Sequence, residues 1–370
     1  MEPGTSKPIV VLTGPTGGHL FASIAFAEAY HAAHSGGSLT LVTGARARDF
    51  LAARETAVFD RIVFLDDFPM PRRLDWRSGV FIFQLMAAFV RMLSCFLKRR
   101  PRLVIGFGSY IAFPGIVAAF LLRIPRMIHE QNYIPGKATR MSSRFVPKIA
   151  VSFEGTRDYF PASQTVQTGF PLRQALRETG PRVIRTGKPF RLMVLGGSQG
   201  AGKINAWVLE GFSTLSLRER ADLAVIHITG REDHEKVRSG YADLGISASV
   251  FPFHSRIEEC FEASDLVITR AGAGTLFELA AFGAPAVVIP YPYAEDHQRK
   301  NAEFFSKKDA LILCDEKDMN GDKMTALIRR LRDQPDLRES LSRRIVSFHV
   351  PDAAERLVGL ADRVMGRMDL

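Results

Sequence analysis

Residues 190–212 read FRLMVLGGSQGAGKINAWVLEGF. An apolar run, residues 190–195, meets a glycine-rich turn, residues 196–200, and then a stretch that reads as helix, residues 201–212. Strand, glycine loop and helix in that order open a Rossmann-like unit. The glycines allow a tight turn, and the backbone N–H groups at the helix start suit a phosphate. The chain begins with the same device. Residues 8–13 (PIVVLT) lead into Gly14-Pro15-Thr16-Gly17-Gly18 and a helical stretch from His19 to His31.

Working outward from these two starts, short apolar strands recur at residues 38–43, 61–65, 103–106, 125–128 and 148–152, and again at 223–228, 249–251, 266–269, 286–289 and 311–313. Continuous rather than alternating apolar runs point to parallel strands covered on both faces. Between the halves, residues 170–189 hold Pro171, Gly180, Pro181, Gly187 and Pro189, a composition suited to a linker. The expected fold class is therefore α/β: two Rossmann-like, doubly wound parallel-sheet domains with a cleft between them.

Composition narrows the function classes. The 370 residues are 46% hydrophobic and 24% charged, which excludes a disordered or collagen-like chain. The apolar run at residues 9–12 leads to a glycine loop and no cleavage site, so it reads as a strand and not a signal peptide. The three cysteines, Cys95, Cys260 and Cys314, form no CxxC or Cys/His cluster, and neither a disulfide framework nor a metal site is expected. Net charge is +10, unevenly spread: residues 1–170 carry 20 Lys and Arg against 11 Asp and Glu, a surplus of nine. Such a half should meet a nucleic acid, an acidic substrate or a membrane surface. No nucleic-acid-binding motif is present, so no nucleic-acid partner is expected.

One segment in that half is GVFIFQLMAAFVRMLSCFL, residues 79–97. Arg91 in its middle disfavours a full span. Two readings remain open: a crossover helix buried in the core, or an interfacial helix with a cationic collar. In the second, Arg72, Arg73, Trp76, Arg77, Phe81, Lys98, Arg99 and Arg100 face the membrane.

The glycine loops discriminate among ligands. GxGxxG is absent after residue 13, and the second strand ends at Thr43-Gly44 without a ribose-binding acid, which disfavours NAD. Residues 197–203 match GxxxxGK, but Ile204 stands where a nucleotide-hydrolysing loop needs a hydroxyl for magnesium. Gly272-Ala273-Gly274-Thr275 could hold a diphosphate, and Glu278 ribose hydroxyls, unless Thr275 and Glu278 simply form a capping box. Asp296, Gln298 and Asn301 could present polar groups to a sugar, unless Asp296 only caps a helix. In the first half, His19 follows flexible glycines, and His129-Glu130-Gln131-Asn132 follows a strand ending at Ile128.

Seven ordered blocks together resemble the MurG family of glycosyltransferases, which attach N-acetylglucosamine to lipid I in bacterial peptidoglycan synthesis. They are Gly14–His19, Gly106–Pro114, His129–Asn132 with Pro135-Gly136, Gly169–Arg173, Gly196–Ala201, Arg270–Glu278 and Asp296–Ala302. The resemblance implies a GT-B fold. Residues 1–168 would form the acceptor and membrane-associating domain, 169–345 the UDP-sugar donor domain, and 346–370 a helical segment returning to the first. It implies an inverting, metal-free transfer from UDP-N-acetylglucosamine to an undecaprenyl-diphosphate-linked acceptor, without cofactor, at the cytoplasmic face of the inner membrane. The alternative is a related GT-B enzyme with another glycolipid acceptor.

Carried over by position, His19 and Glu130 would be catalytic, with His19 the general base. Thr16, Gly18, Asn132, Arg173, Ser198, Gly274, Thr275, Glu278, Gln298 and Asn301 would bind the donor. Gly17, His19, Tyr110, His129 and Gln131 would bind the acceptor. Three positions depart from the family pattern: Pro15 for a loop glycine, Phe170 for an asparagine, and His254 where the family has an apolar residue near the uracil.

Overall fold

A computed structural model describes residues 7–49, 51, 56–67, 76–178, 180, 184–196, 200–293 and 296–366. The chain divides into two compact units, residues 1–174 with 351–370, and residues 175–350.

In the first unit the described residues form an all-parallel sheet in the order β3-β2-β1-β4-β5-β6-β7. Its strands are β1 (Ile9–Thr13), β2 (Leu39–Gly44), β3 (Arg61–Leu65), β4 (Leu103–Phe107), β5 (Arg126–Glu130), β6 (Lys148–Val151) and β7 (Thr165–Gln167). All five residues of β1 and of β4 are buried, which is why neither strand alternates in polarity. Ile9 pairs with Leu39 on one side and Leu103 on the other. The winding direction therefore reverses between β1 and β4, the place where such sheets bind ligands. Helix α1 (Gly17–Ala33) follows β1, α2 (Trp76–Lys98) precedes β4 and α3 (Ser109–Leu121) follows it.

The second unit repeats the plan in the order β10-β9-β8-β11-β12-β13. Here β8 is Phe190–Leu195, β9 Leu223–Ile228, β10 Ser247–Phe251, β11 Leu266–Thr269, β12 Ala286–Val288 and β13 Ile312–Leu313. The reversal lies between β8 and β11. Helices α4 (Gly202–Ser213), α5 (Ala273–Phe282), α6 (His297–Ser306) and α7 (Gly321–Asp333) matter for the site. The apolar faces of α4 and α7, including Ile204, Val208, Met324 and Ile328, share one core with β8. Burying each such side chain stabilises by roughly 1.5–3 kcal/mol. The last helix, α8 (Ala353–Gly366), packs against α1 in the first unit.

Three details differ from the sequence reading. The short edge strand β7 was not expected, because three residues with one buried position leave no periodic signal. Strand β5 runs on through His129 and Glu130, which pair with Ala150 and Val151, so these two residues end a strand and do not lie in a loop. Residues 170–173, expected to start the linker, are buried in the first unit.

Candidate functional site

The loops after β1 and β4 meet around His19. Gly108 takes φ 77 and Ser109 φ 68, so the chain turns sharply at the start of α3. A Cβ on Gly108 would lie 2.8 Å from Nε2 of His19, and one on Gly14 only 2.7 Å from the Cβ of Ser109. Glycine at both positions lets the imidazole lodge between the two loops. Nδ1 of His19 lies 3.0 Å from Oγ1 of Thr16. Thr16 is the N-cap of α1, yet its side chain makes no capping bond to the helix; its hydroxyl serves the imidazole instead. The positive end of α1 therefore faces the same place as His19.

Behind His19 lies the His129–Asn132 segment. His129 is fully buried; Nδ1 is 3.1 Å from Nε2 of Gln131, and Nε2 is 3.4 Å from the Gly169 carbonyl. One tautomer satisfies both contacts: Nε2–H donates to Gly169, and Nδ1 accepts from Gln131. Burial pushes the pKa of His129 down to about 4, so the ring is neutral at neutral pH. Gln131 is buried, and its Oε1 accepts no hydrogen bond among the described residues. Glu130 is buried with both oxygens occupied. Oε1 accepts from the backbone N–H (2.9 Å) and the side-chain amide (3.2 Å) of Asn132, and Oε2 accepts from the N–H of Gly136 (3.2 Å). Arg173 is buried, with its guanidinium 4.4 Å from the ring centroid of Phe21 on α1. Tyr110 meets Phe81 edge-on at 5.5 Å.

In the second unit the N-cap of α5 is Gly272, with no side-chain cap. Thr275 therefore lies within the first turn and is not the cap of a box with Glu278, which leaves the N–H groups at this helix start free of a side-chain oxygen from the cap. Asp296, at φ 57, likewise makes no side-chain capping bond to α6. Two polar side chains of α6, Gln298 and Asn301, brace neighbouring turns. Oε1 of Gln298 accepts from the N–H groups of Ala271 (3.2 Å) and Tyr291 (2.9 Å), and the amide of buried Asn301 donates to the Ala271 carbonyl (3.3 Å).

Beneath this turn lies a cluster that the sequence reading did not pick out. Buried Arg270 donates to the carbonyls of Ile289 (3.1 Å) and Pro290 (3.4 Å), and its Nη2 lies 2.7 Å from Oε2 of Glu316. Oε1 of Glu316 accepts from Lys203 at 2.7 Å. Burial pushes the Glu316 carboxyl up, but Lys203 and Arg270 outweigh it and hold its pKa below the usual carboxylate range. Arg270 was legible only as part of a longer block, and nothing local marks Glu316, which stands far along the chain.

Helix α2 buries one face and exposes the other. Ala88, Met92 and Phe96 face the core, whereas Ile82, Phe83 (74% exposed), Met86, Val90 and Leu97 face outward. By length and composition alone, residues 78–98 could cross a membrane; here the helix lies against α3. Phe81, expected to face the membrane, is turned inward against Tyr110 instead, because it shares the inner face with Leu85 and Met92. Trp76, Lys98, Arg99 and Arg100 are exposed, and Arg100 also donates to the Leu122 carbonyl at the end of α3. Arg72, Arg73 and Ser198 lie outside the described residues, as does the side chain of Arg77.

Against known proteins, the glycosyltransferase family 28 N-terminal domain matches residues 9–151, and the family's C-terminal domain matches residues 191–357. The chain is 33% identical over 368 residues to a protein of Geotalea daltonii, covering 98% of each chain. That protein is named UDP-N-acetylglucosamine–N-acetylmuramyl-(pentapeptide) pyrophosphoryl-undecaprenol N-acetylglucosamine transferase. A protein of the same name from Desulfotalea psychrophila is 30% identical over 371 residues, covering 100% of both chains. Among solved structures, MurG of Acinetobacter baumannii superposes with a TM-score of 0.71 at 26% identity, covering 96% of this chain and 99% of that one. The UDP-GlcNAc 2-epimerase of Neisseria meningitidis, bound to UDP-GlcNAc, shares the fold at 12% identity and a TM-score of 0.68, covering 96% of this chain and 100% of that one.

Proposed function

The chain belongs to the MurG family of glycosyltransferases, and from that premise we propose that it moves N-acetylglucosamine from UDP-N-acetylglucosamine to lipid I, giving lipid II. The transfer is a single displacement. The acceptor hydroxyl attacks C1, UDP departs from the opposite face, and a β-1,4 link results.

His19 is the general base. With Nδ1–H donating to Thr16, Nε2 is the ring nitrogen that takes the acceptor proton. The observation that carries this role is the lodging of the imidazole between two glycine loops at the positive end of α1, with Nε2 on the Gly108 side. The same end of α1, near Gly17 and Gly18, suits the acceptor diphosphate. In place of a chemical role, Glu130 braces the turn that presents Asn132, and neutral His129 and Gln131 shape the floor behind His19. The donor lies on the second unit, with its diphosphate at the α5 start near Gly274 and Thr275 and its ribose at Glu278. Gln298 and Asn301 hold the turns that frame the sugar.

The outer face of α2 docks on the cytoplasmic face of the membrane as a peripheral anchor. Its exposed apolar side chains enter the lipid, while Lys98, Arg99 and Arg100 meet anionic headgroups, each basic residue contributing about 1 kcal/mol. The testing experiment is turnover of labelled UDP-N-acetylglucosamine with a lipid I analogue. A disaccharide lipid is expected, with kcat lowered about 100- to 10,000-fold in His19→Ala and donor affinity kept. Transfer to a different lipid sugar, with none to lipid I, would overturn the assignment.

A further inference from the structure

The lysine of the GxxxxGK stretch is left without work once nucleotide hydrolysis is set aside. Lys203 stands in the first turn of α4, directly after the glycine-rich loop that follows β8. A lysine so placed is within reach of a phosphate bound at the helix start.

Its side chain turns toward β11. Nζ lies 2.7 Å from Oε1 of Glu316, whose Oε2 lies 2.7 Å from Arg270, the residue just ahead of the Ala271-Gly272 turn. One carboxylate between two cations leaves a surplus of one positive charge beside that turn. The two cations are held very differently. Arg270 is buried and fixed by two carbonyls as well as Glu316. The Lys203 side chain is 57% exposed and has Glu316 as its ion-pair partner. Because Arg270 stays on the buried Glu316 carboxylate, that carboxylate keeps one cation when the exposed Lys203 ammonium swings to another anion. A lysine ammonium, with three rotatable donors on a flexible stem, suits a phosphate that changes its charge and position.

We propose that Lys203 is a catalytic residue, the cation that neutralises the β-phosphate of the departing UDP, and that Glu316 holds it until the donor binds. This rests on the donor-site reading of the second unit. In the transfer, the bond from C1 to the β-phosphate oxygen breaks and its electron pair stays on that oxygen, so UDP gains one negative charge. The acceptor oxygen forms the new bond to C1, and its proton passes to His19. The starts of α4 and α5 each supply about half a positive charge to the diphosphate. Lys203 adds a full one, which matters most when the bond is nearly broken.

The test compares UDP, UMP and uridine binding by calorimetry for the full chain, Lys203→Met and Lys203→Arg, together with steady-state transfer. UMP and uridine lack the β-phosphate, so Lys203→Met should bind them as the parent does while losing about tenfold in UDP affinity. Its kcat should fall about 100-fold, more than KM for the donor rises, and Lys203→Arg should recover most of the loss. Thermal unfolding is followed alongside, because Lys203→Met also takes one cation from buried Glu316; a role confined to holding Glu316 would lower Tm while leaving UDP affinity and kcat as in the parent. Equal UDP affinity and equal kcat in parent and Lys203→Met would overturn the proposal while leaving the donor site standing. A parent that binds neither UDP nor UMP would overturn the donor site itself.

Discussion

Taking the protein from pH 7 to pH 5 should remove about 2 kcal/mol of stability from the second unit through His227 alone. His227 on β9 is fully buried; Nδ1 lies 2.8 Å from the Tyr241 hydroxyl and Nε2 2.9 Å from Oδ1 of Asn205. A single neutral tautomer satisfies both partners, with Tyr241 donating to Nδ1 and Nε2–H donating to Asn205. The Asn205 amide in turn donates to Asp233 and the Thr229 carbonyl. A second proton would place a charge in the core and two hydrogens between Nδ1 and Tyr241. Burial accordingly pushes the pKa down to about 3. In the unfolded chain it returns to about 6.5. Above that pH both states are neutral and the histidine adds no pH dependence. Below it, only the unfolded state takes up the proton, and stability falls by about 1.4 kcal/mol per pH unit until the folded pKa is reached. Carboxylates such as Glu219, held at about 2 by Arg329, lose their contribution as pH falls from the unfolded value of about 4.3 toward 2, below this window. His349, lowered by burial and by Arg177, acts in the same direction within it, so a variant must isolate His227. His227→Gln keeps an amide for both partners and removes the titration. Trp207 packs against the core of the second unit and, with Trp76→Phe as background, is the only tryptophan left to report urea unfolding. The parent should lose about 2 kcal/mol between pH 7 and pH 5 beyond what His227→Gln loses, equivalent to roughly 4–8 °C in Tm. Equal losses in the two proteins would refute the reasoning.

Gly108→Ala should cost about 1–3 kcal/mol through its positive-φ, extended backbone and should also displace His19, lowering kcat. Gly18→Ala, whose Cβ would meet nothing within 4 Å, should leave Tm unchanged, so any loss of turnover there reports the approach of substrate. Arg338→Met removes the donor to the carbonyls of Leu331, Arg332 and Arg185 from a buried site against Phe190, and should cost about 3–5 kcal/mol, read by urea unfolding, with UDP binding intact below the transition.

The two sheets were legible because central parallel strands are apolar throughout: IVVLT and FRLMVL announce themselves without periodicity. The two loops beside His19 were legible because glycine is required where the chain turns there. What the sequence hid was which side chains spend their polar atoms inside the protein. Glu130, Gln298 and Asn301 were read as facing ligand, yet each holds a backbone turn. A motif records that a polar group is needed, whether for ligand or for loop, and only the geometry separates the two. Phe81 shows the same limit on a helix. Residues 79–97 carry apolar side chains on every side of the helix, and only the sheet beneath decides which side turns inward. Glu316 was invisible because its partners, Lys203 and Arg270, come to it through the fold and not through the chain.

The uneven charge takes on a different meaning in each unit. In the second, cations find carboxylates of the same unit: Lys203 and Arg270 share Glu316, Arg299 meets Asp315 and Glu303, and Arg329 meets Glu219. That charge is spent on fixing loops and helix ends, and a near-neutral total is its consequence. In the first, Lys98, Arg99 and Arg100 make no ion pair to a carboxylate among the described residues, and they cluster at the end of the helix whose outer face is apolar. An exposed cation without a carboxylate partner adds little to the stability of its own fold. It raises the potential of the surface around it and attracts an anionic one. Screening by salt should therefore weaken membrane docking by the first unit while leaving the buried Arg270–Glu316 pair, and the loop it supports, almost untouched.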